Sequence, residues 1–237
     1  MIGARVLSLK PTLTRMADVT TDPVPPLNLP PVNLALVLAL DCSASVDFDE
    51  FNLLANGSAA GLRDGEVVAG LLAPPYGASL LALLLWSGTG AQEVVVEWTR
   101  VSSSAEVEAF AALVEGVPRA VPAGATAIGD ALLVAGKLLA LAPAPAARQV
   151  IDVVGDGRSN QGADPGPVRD RLAAAGVTIN GLCVLHQEPD LVASYTDEVI
   201  GGPGAFALQC QDYHGFAVAM RQKLAREIAA AGRVWLG

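Results

Sequence analysis

Oxygen-bearing side chains alternate along one short segment of the sequence. Asp41, Ser43 and Ser45 occupy positions i, i+2 and i+4 directly after an apolar run. Just past the end of a strand, alternate side chains can point to the same side, so a carboxylate and two hydroxyls could meet one cation. Oxygen ligands of this kind suit a hard divalent ion. The spacing therefore predicts part of a cation site.

Two later segments contain further oxygen ligands. Thr126 lies in the Gly-rich stretch 122–130, where a helix is predicted to begin and Gly124 leaves room for close approach of the backbone. Asp156 follows an apolar run and contributes a second carboxylate. The full set of oxygen donors is Asp41, Ser43, Ser45, Thr126 and Asp156. With at most two negative charges, this set suits Mg²⁺, or Mn²⁺ or Ca²⁺, and leaves a positive charge that would attract an external carboxylate.

Each of these residues also has an ordinary structural interpretation. The Asp-Ser-Ser segment could cap the helix that follows it, Thr126 could cap its own helix, and Asp156 could belong to a turn. The cation site is therefore predicted only if the fold brings the three segments together.

The elements that must position these segments alternate between strands and helices. Apolar runs predict strands at 33–40, 79–86, 93–98, 149–154, 177–185 and 205–208, and helical spacing predicts helices at 48–62, 103–116, 126–141, 165–175 and 213–231. This order predicts an α/β fold with a doubly wound, mostly parallel sheet and helices on both faces. Binding sites in such sheets lie beyond the carboxyl ends of the strands, where strand order reverses. The three segments are expected to converge there.

Composition and charge exclude several classes of protein. Hydrophobic residues make up 52% and charged residues 16% of the 237 residues, which excludes a disordered chain. The longest apolar runs have seven residues, against roughly 20 for a membrane-spanning helix, so no membrane insertion is expected. The net charge of −9 comes with no basic cluster, so no nucleic-acid partner is expected.

Residues 1–31 differ from the rest of the chain. They end in a proline-rich stretch and contain no apolar core of a secretory signal. We predict a flexible leader over 1–31, a single domain over 32–237, and a cytoplasmic location.

The pattern as a whole resembles the von Willebrand factor type A domain. The DxSxS segment, a later Thr in a Gly-rich loop and an Asp-Gly after another strand match its metal-ion-dependent adhesion site. The similarity covers about residues 32–232, and implies a six-stranded, Rossmann-like sheet whose third strand is an antiparallel edge. The segments that resemble an uncharacterised bacterial branch of this fold are Val94–Thr99, Gly155–Gly162, Val177–Leu182 and Val199–Phe206. Relatives in that branch look exported, which makes a periplasmic location the alternative to the cytoplasm.

The resemblance also implies a function, namely metal-mediated protein binding without catalysis. The five oxygen donors would hold the cation, with the aspartate typically acting through water, and a protein partner would present an Asp or Glu side chain as the last ligand. The residues expected at the rim of this contact are Asp47, Arg158, Asn160 and Gln187.

A magnesium-dependent phosphatase of the haloacid dehalogenase type is the alternative from another class. Asp41 would be its nucleophile, Asp156 a magnesium ligand and Lys137 the lysine that orients the phosphate. This chemistry needs a second carboxylate two residues after the nucleophile, and that position is Ser43. A metal-free scaffold domain is a third possibility.

Two further expectations concern buried polar groups. Asp152 lies within a predicted central strand, where a carboxylate must be paired, so a structural ion pair is expected. Cys183 and Cys210 lie on the last two strands and could form a disulfide in an exported protein, but free buried thiols are the default.

Overall fold

The structure is a computed structural model that describes residues 29–186 and 188–233. Its strands are β1 (Val32–Asp41), β2 (Ser79–Trp86), β3 (Gln92–Val101), β4 (Ala146–Gly155), β5 (Val177–Val184) and β6 (Ala207–Cys210). Its α-helices are α1 (Phe48–Leu62), α2 (Gly65–Leu71), α3 (Ser104–Glu115), α4 (Ile128–Ala140), α5 (Pro165–Ala174), α6 (Leu191–Ser194) and α7 (Phe216–Arg233). A π-helical turn (Tyr195–Val199) continues α6, and a 3₁₀ turn (Tyr213–Gly215) precedes α7.

The six strands form one sheet in the order β3-β2-β1-β4-β5-β6. All neighbouring pairs are parallel except β2 and β3, which form an antiparallel hairpin with β3 at the edge. The predicted fold class is therefore confirmed. From β1 the chain passes first to β2 on one side and later to β4 on the other, so strand order reverses between β1 and β4. The carboxyl ends of these two strands carry the candidate site.

Helices cover both faces of the sheet because the central strands are apolar on both sides. Leu36 and Leu38 of β1 face the cluster formed with α1, α2, α3 and α7, whereas Val37 and Ala39 face the cluster formed with α4, α5 and α6. All ten residues of β1 are buried. The two cores hold the ends of β1 and β4 in fixed positions.

The two helices that begin near the site, α1 and α4, differ in their capping. Asp47 is the N-cap of α1 and forms a capping box with Glu50. Helix α4 begins at Ile128 without any side-chain cap. Thr126 is therefore not the N-cap of α4, and its hydroxyl has no capping function.

Two of the predictions made from sequence concern residues that the structure does not describe. Residues 1–28 of the predicted leader and Gln187 of the predicted rim are not described. Leu29 and Pro30 do contact the domain, because the Leu29 amide donates to the Pro143 carbonyl at 2.9 Å and Arg100 donates to the Pro30 carbonyl at 2.8 Å. Among the described helices, none has the length and apolar character that a membrane crossing requires.

Candidate metal centre

Four of the five predicted ligands form one hydrogen-bonded group at the strand ends. The Ser43 amide donates to Asp41 Oδ1 at 2.6 Å, which folds the loop after β1 back on itself. The Ser45 hydroxyl donates to Asp156 Oδ1 at 2.7 Å, although the two residues are 111 positions apart. The Ser43 and Ser45 hydroxyls lie 3.1 Å from each other. The fold thus brings the DxSxS segment and the end of β4 together.

Thr126 reaches the same place through the loop before α4. The Ala44 amide donates to the Gly124 carbonyl at 2.8 Å and ties this loop to the DxSxS segment. A Cβ built on Gly157 would lie 3.8 Å from Thr126 Oγ1, so the Thr126 hydroxyl lies beside the residue that follows Asp156. The structure therefore places all three predicted segments together.

The charge on Asp41 is poorly satisfied by the protein itself. Asp41 is fully buried, and its Oδ2 has no hydrogen-bond partner among the residues that the structure describes. Burial, and next the nearby charge of Asp156, raise the pKa of Asp41 to about 7. A bound cation would satisfy this oxygen and offset the repulsion between the two carboxylates.

The type of donor fits a hard cation. Within the described part of the chain, no three His, Cys, Asp or Glu side chains lie close enough to hold a metal without help from other residues. The cluster instead combines two carboxylates with the hydroxyls of Ser43, Ser45 and Thr126. Such all-oxygen sets suit Mg²⁺, Mn²⁺ or Ca²⁺. The residues present therefore fit a divalent metal site.

Gly155 leaves room for Asp41 Oδ2 and the Tyr195 hydroxyl. A Cβ at this position would lie 2.7 Å from the Tyr195 hydroxyl, closer than real Cβ atoms approach other groups, and in tight contact with Asp41 Oδ2 at 3.0 Å. The absence of a side chain at Gly155 is thus a requirement of the site. This role of Gly155 was not predicted from the sequence.

Two tyrosines at the site were also missed. Tyr213 donates its hydroxyl to Asp156 Oδ2 at 2.8 Å, and Tyr195 places its hydroxyl beside Gly155. Both rings are buried. For Tyr195 the apolar spacing of Leu191, Tyr195 and Val199 indicated a helix, although none was predicted there. For Tyr213 the sequence carried no signal, since it lies 57 residues after Asp156.

The structure describes three of the four residues predicted for the rim, and their role there stays a prediction. Asp47 is exposed, and Arg158 forms an exposed ion pair with Glu188 at 3.0 Å. Asn160 forms two hydrogen bonds with the backbone of Thr126. Its side-chain Oδ1 accepts from the Thr126 amide at 2.9 Å, and its backbone amide donates to the Thr126 carbonyl at 2.9 Å. Asn160 is therefore a supporting residue of the Thr126 loop.

Phe48 and Arg119 lie beside the cluster and were not predicted. Phe48, the first residue of α1, is 70% exposed directly after the DxSxS segment. The Arg119 guanidinium lies 5.6 Å from the centre of the Phe48 ring and donates to the carbonyls of Cys42 and Ser43. An exposed aromatic ring and a cationic side chain thus flank the cluster.

The lysine required by the phosphatase alternative lies elsewhere. Lys137 is exposed in the last turn of α4. It follows Ile128 by nine residues, which at about 1.5 Å per residue puts it some 13 Å further along the helix. The structure brings Asp41 and Asp156 together but does not bring Lys137 to them.

A second polar cluster lies around β4 and β5, on the face of the sheet that packs against α7. Asp152 forms a fully buried ion pair with Lys223 of α7, which confirms the expected structural pair. Arg148 pairs with buried Glu227 at 2.6 Å, and Asn180 donates to the same carboxylate. A cavity of about 410 Å³ borders this cluster. Because Glu227 is bonded on both oxygens, these contacts serve to attach α7 to the sheet.

The comparisons with solved structures identify the fold. Proximal thread matrix protein 1 from the mussel byssus, solved with a zinc-occupied MIDAS motif, is 16% identical with a TM-score of 0.60, over 84% of this chain and 48% of that one. A von Willebrand factor type A protein from Catenulispora acidiphila is 17% identical with a TM-score of 0.56, over 83% and 43%. The chain thus spans less than half the length of these two proteins.

A third structure is a domain of similar size. The vWF domain of the type V pili tip protein Mfa5 from Porphyromonas gingivalis is 12% identical with a TM-score of 0.57, over 84% of this chain and 96% of that one.

No curated protein matches the chain. The family model described as "Protein of unknown function (DUF1194)" matches residues 31–232. The chain therefore belongs to the DUF1194 family, and its fold is that of the von Willebrand factor type A domain.

Proposed function

We propose that this protein is a metal-dependent, non-enzymatic protein-binding module. A divalent cation, Mg²⁺ in the first instance, is held by Asp41, Ser43, Ser45, Thr126 and Asp156. The cation completes its coordination with an Asp or Glu side chain of a protein partner.

The state of Asp41 is the observation that carries this proposal. Its Oδ2 is buried without a hydrogen-bond partner in the described residues, next to Asp156 and three hydroxyl side chains. Unpaired buried carboxylates are costly and are retained where a ligand or cation satisfies them. The protein offers five oxygen donors, whereas Mg²⁺ takes six ligands in octahedral geometry, so one position is left for an oxygen ligand of the partner.

The structural neighbours support the same function. The mussel protein carries zinc in a MIDAS motif, and Mfa5 is a pilus tip protein. A location outside the cytoplasm accords better with the pilus protein than the cytoplasmic location expected from sequence. The exposed ring of Phe48 and the guanidinium of Arg119 offer apolar and cationic contacts to residues of the partner that flank its acidic side chain.

Calorimetric titration of Mg²⁺ and Mn²⁺ into EDTA-treated protein tests the metal site. We expect one saturable site in the unaltered protein and none in Asp41→Ala. Asp49→Ala is the matched control, because Asp49 is an exposed acid in the first turn of α1. Binding that persists in Asp41→Ala, or that Asp49→Ala also abolishes, would contradict the proposed ligands.

Partner binding is tested by capture from lysate with and without EDTA. A partner recovered with Mg²⁺ by the unaltered protein and by Asp49→Ala, but lost with EDTA and with Asp41→Ala, is the expected result. A partner that stays bound under both treatments would favour a metal-free scaffold. Hydrolysis of an aryl phosphate, lost in Asp41→Asn, would favour the phosphatase.

A further inference from the structure

Asp156 is held by hydroxyl groups on both of its carboxylate oxygens. Ser45 donates to Oδ1 at 2.7 Å and Tyr213 donates to Oδ2 at 2.8 Å. Ser45 belongs to the proposed metal site, whereas Tyr213 comes from the segment between β6 and α7. The carboxylate is 2% exposed, so solvent offers little replacement for either donor.

We propose that Tyr213 is the positioning residue of the metal site: its hydroxyl fixes the carboxylate of Asp156 so that Oδ1 is directed at Ser45 and the cation. This inference rests on the proposed function, since it concerns the same cation. Tyr213 itself does not contact the metal, because its hydroxyl bonds the carboxylate oxygen that does not face Ser45.

The surroundings of Tyr213 give its hydroxyl a fixed position. The residue opens a 3₁₀ turn that Asp212 caps by accepting from the Gly215 amide at 3.0 Å. Phe216, directly after this turn, is fully buried and packs against Gly57 of α1. The ring of Tyr213 also packs 6.1 Å from the ring of His186. Both ends of the turn are therefore anchored, and the ring has little freedom to move away from Asp156.

Loss of the Tyr213 hydroxyl has a defined consequence for the metal. Oδ2 of Asp156 would remain buried without a donor, and the carboxylate would rotate to relieve this state. This rotation removes Oδ1 from its position beside Ser45. Hydrogen-bond partners of metal ligands typically contribute about tenfold or more to metal affinity, so a loss of that order is expected.

Calorimetric titration of Mg²⁺ into Tyr213→Phe tests the inference. We expect Mg²⁺ to bind about tenfold or more weakly than to the unaltered protein. Tyr76→Phe is the matched control, since Tyr76 is 41% exposed and lies outside the site, and its affinity should not change. Unchanged affinity in Tyr213→Phe, with binding intact in the unaltered protein, would overturn this inference alone. Absence of binding in the unaltered protein would overturn the proposed function as well.

If Tyr213→Phe does not fold, ¹⁹F NMR spectroscopy of the protein that retains Tyr213 tests the inference instead. The chain has three tyrosines, so biosynthetic labelling with 3-fluorotyrosine gives three ¹⁹F resonances, which single Tyr→Phe variants or elimination assign. Saturation with Mg²⁺ should shift the Tyr213 resonance and leave that of Tyr76 in place. A Tyr213 resonance that does not respond to a bound cation would overturn the inference.

Discussion

At the scale of single residues, Asp41 is fully buried, and no ion pair among the described residues includes its carboxylate. Its folded pKa of about 7 lies above its ordinary value of 3.8, so the folded state binds the Asp41 proton more tightly than the unfolded state does. Ionisation of Asp41 in metal-free protein is therefore destabilising, and this cost is fully present above about pH 7.

Asp41→Asn should accordingly stabilise the metal-free protein. In EDTA at about pH 8, we expect the free energy of unfolding to rise by about 2 kcal/mol or more, because the substitution removes the buried charge. Urea denaturation measures this change, and Asp49→Asn, at an exposed position, should leave the value unaltered. A destabilised Asp41→Asn protein would contradict the view that Asp41 is retained for metal binding.

Gly155 provides a second prediction at this scale. Gly155→Ala should weaken Mg²⁺ binding strongly, because the new methyl group would displace the Tyr195 hydroxyl or Asp41 Oδ2. Gly65→Ala is the matched control, since a Cβ at Gly65 meets nothing within 4 Å. Titration of Mg²⁺ into both variants measures the difference. Equal affinities would show that the close approach at Gly155 is not needed.

The residues predicted from sequence and those missed differ in one physical respect. Asp41, Ser43 and Ser45 lie close together in the chain, and Thr126 and Asp156 follow strand and helix signals that topology places at the same edge. Their juxtaposition was therefore predictable, while their role as ligands stays a prediction. Tyr213 and Arg119 lie in other loops and reach the site with long side chains. No local sequence pattern predicts such contacts.

At the scale of elements, the continuous apolar runs identified every strand of the sheet, although β6 begins two residues later than predicted. Helix α2, helix α6 and the extension of α6 through Tyr195–Val199 were not predicted. The partner of Asp152 was equally unpredictable, because Lys223 lies 71 residues later on a helix whose register against the sheet depends on packing.

The buried pair between β4 and α7 gives a prediction at this scale. Lys223→Met should destabilise the protein by about 3–5 kcal/mol, because Asp152 is left buried without a counter-charge. Arg221→Met is the matched control: Arg221 is 47% exposed, and loss of its surface contact with Asp64 should cost less than about 1 kcal/mol. Chemical denaturation measures both values.

The double variant Asp152→Asn/Lys223→Met extends this experiment. It should recover a large part of the loss, because it removes the unpaired charge along with its partner. A double variant as unstable as Lys223→Met would mean that the ion pair is not the source of the effect.

At the scale of the whole molecule, all three cysteines are buried and free. Burial raises the pKa values of Cys42 and Cys183 to about 12 and that of Cys210 to about 11. Thiols in this state react slowly, since the thiolate is the nucleophile. We expect negligible alkylation of the folded protein at about pH 8 and three reactive thiols after denaturation without reductant. Two missing thiols would instead indicate a disulfide.

The division of the chain at residue 31 stays a prediction. The structure shows that Leu29 and Pro30 already bond to the domain. A chain that begins at Pro26 should therefore keep the unfolding temperature and Mg²⁺ affinity of the full chain. A marked loss of either would assign the leader a part in the domain.

The central position of β1 has a consequence for biosynthesis. This strand leaves the ribosome well before its neighbour β4, which begins more than a hundred residues later. Until β4 has been translated, one edge of a ten-residue apolar strand stays unpaired. Unpaired apolar strands associate readily with other chains and are typical substrates of chaperones. The nascent chain should thus depend on a holdase, and the metal site, which uses the ends of both strands, can form only late in synthesis.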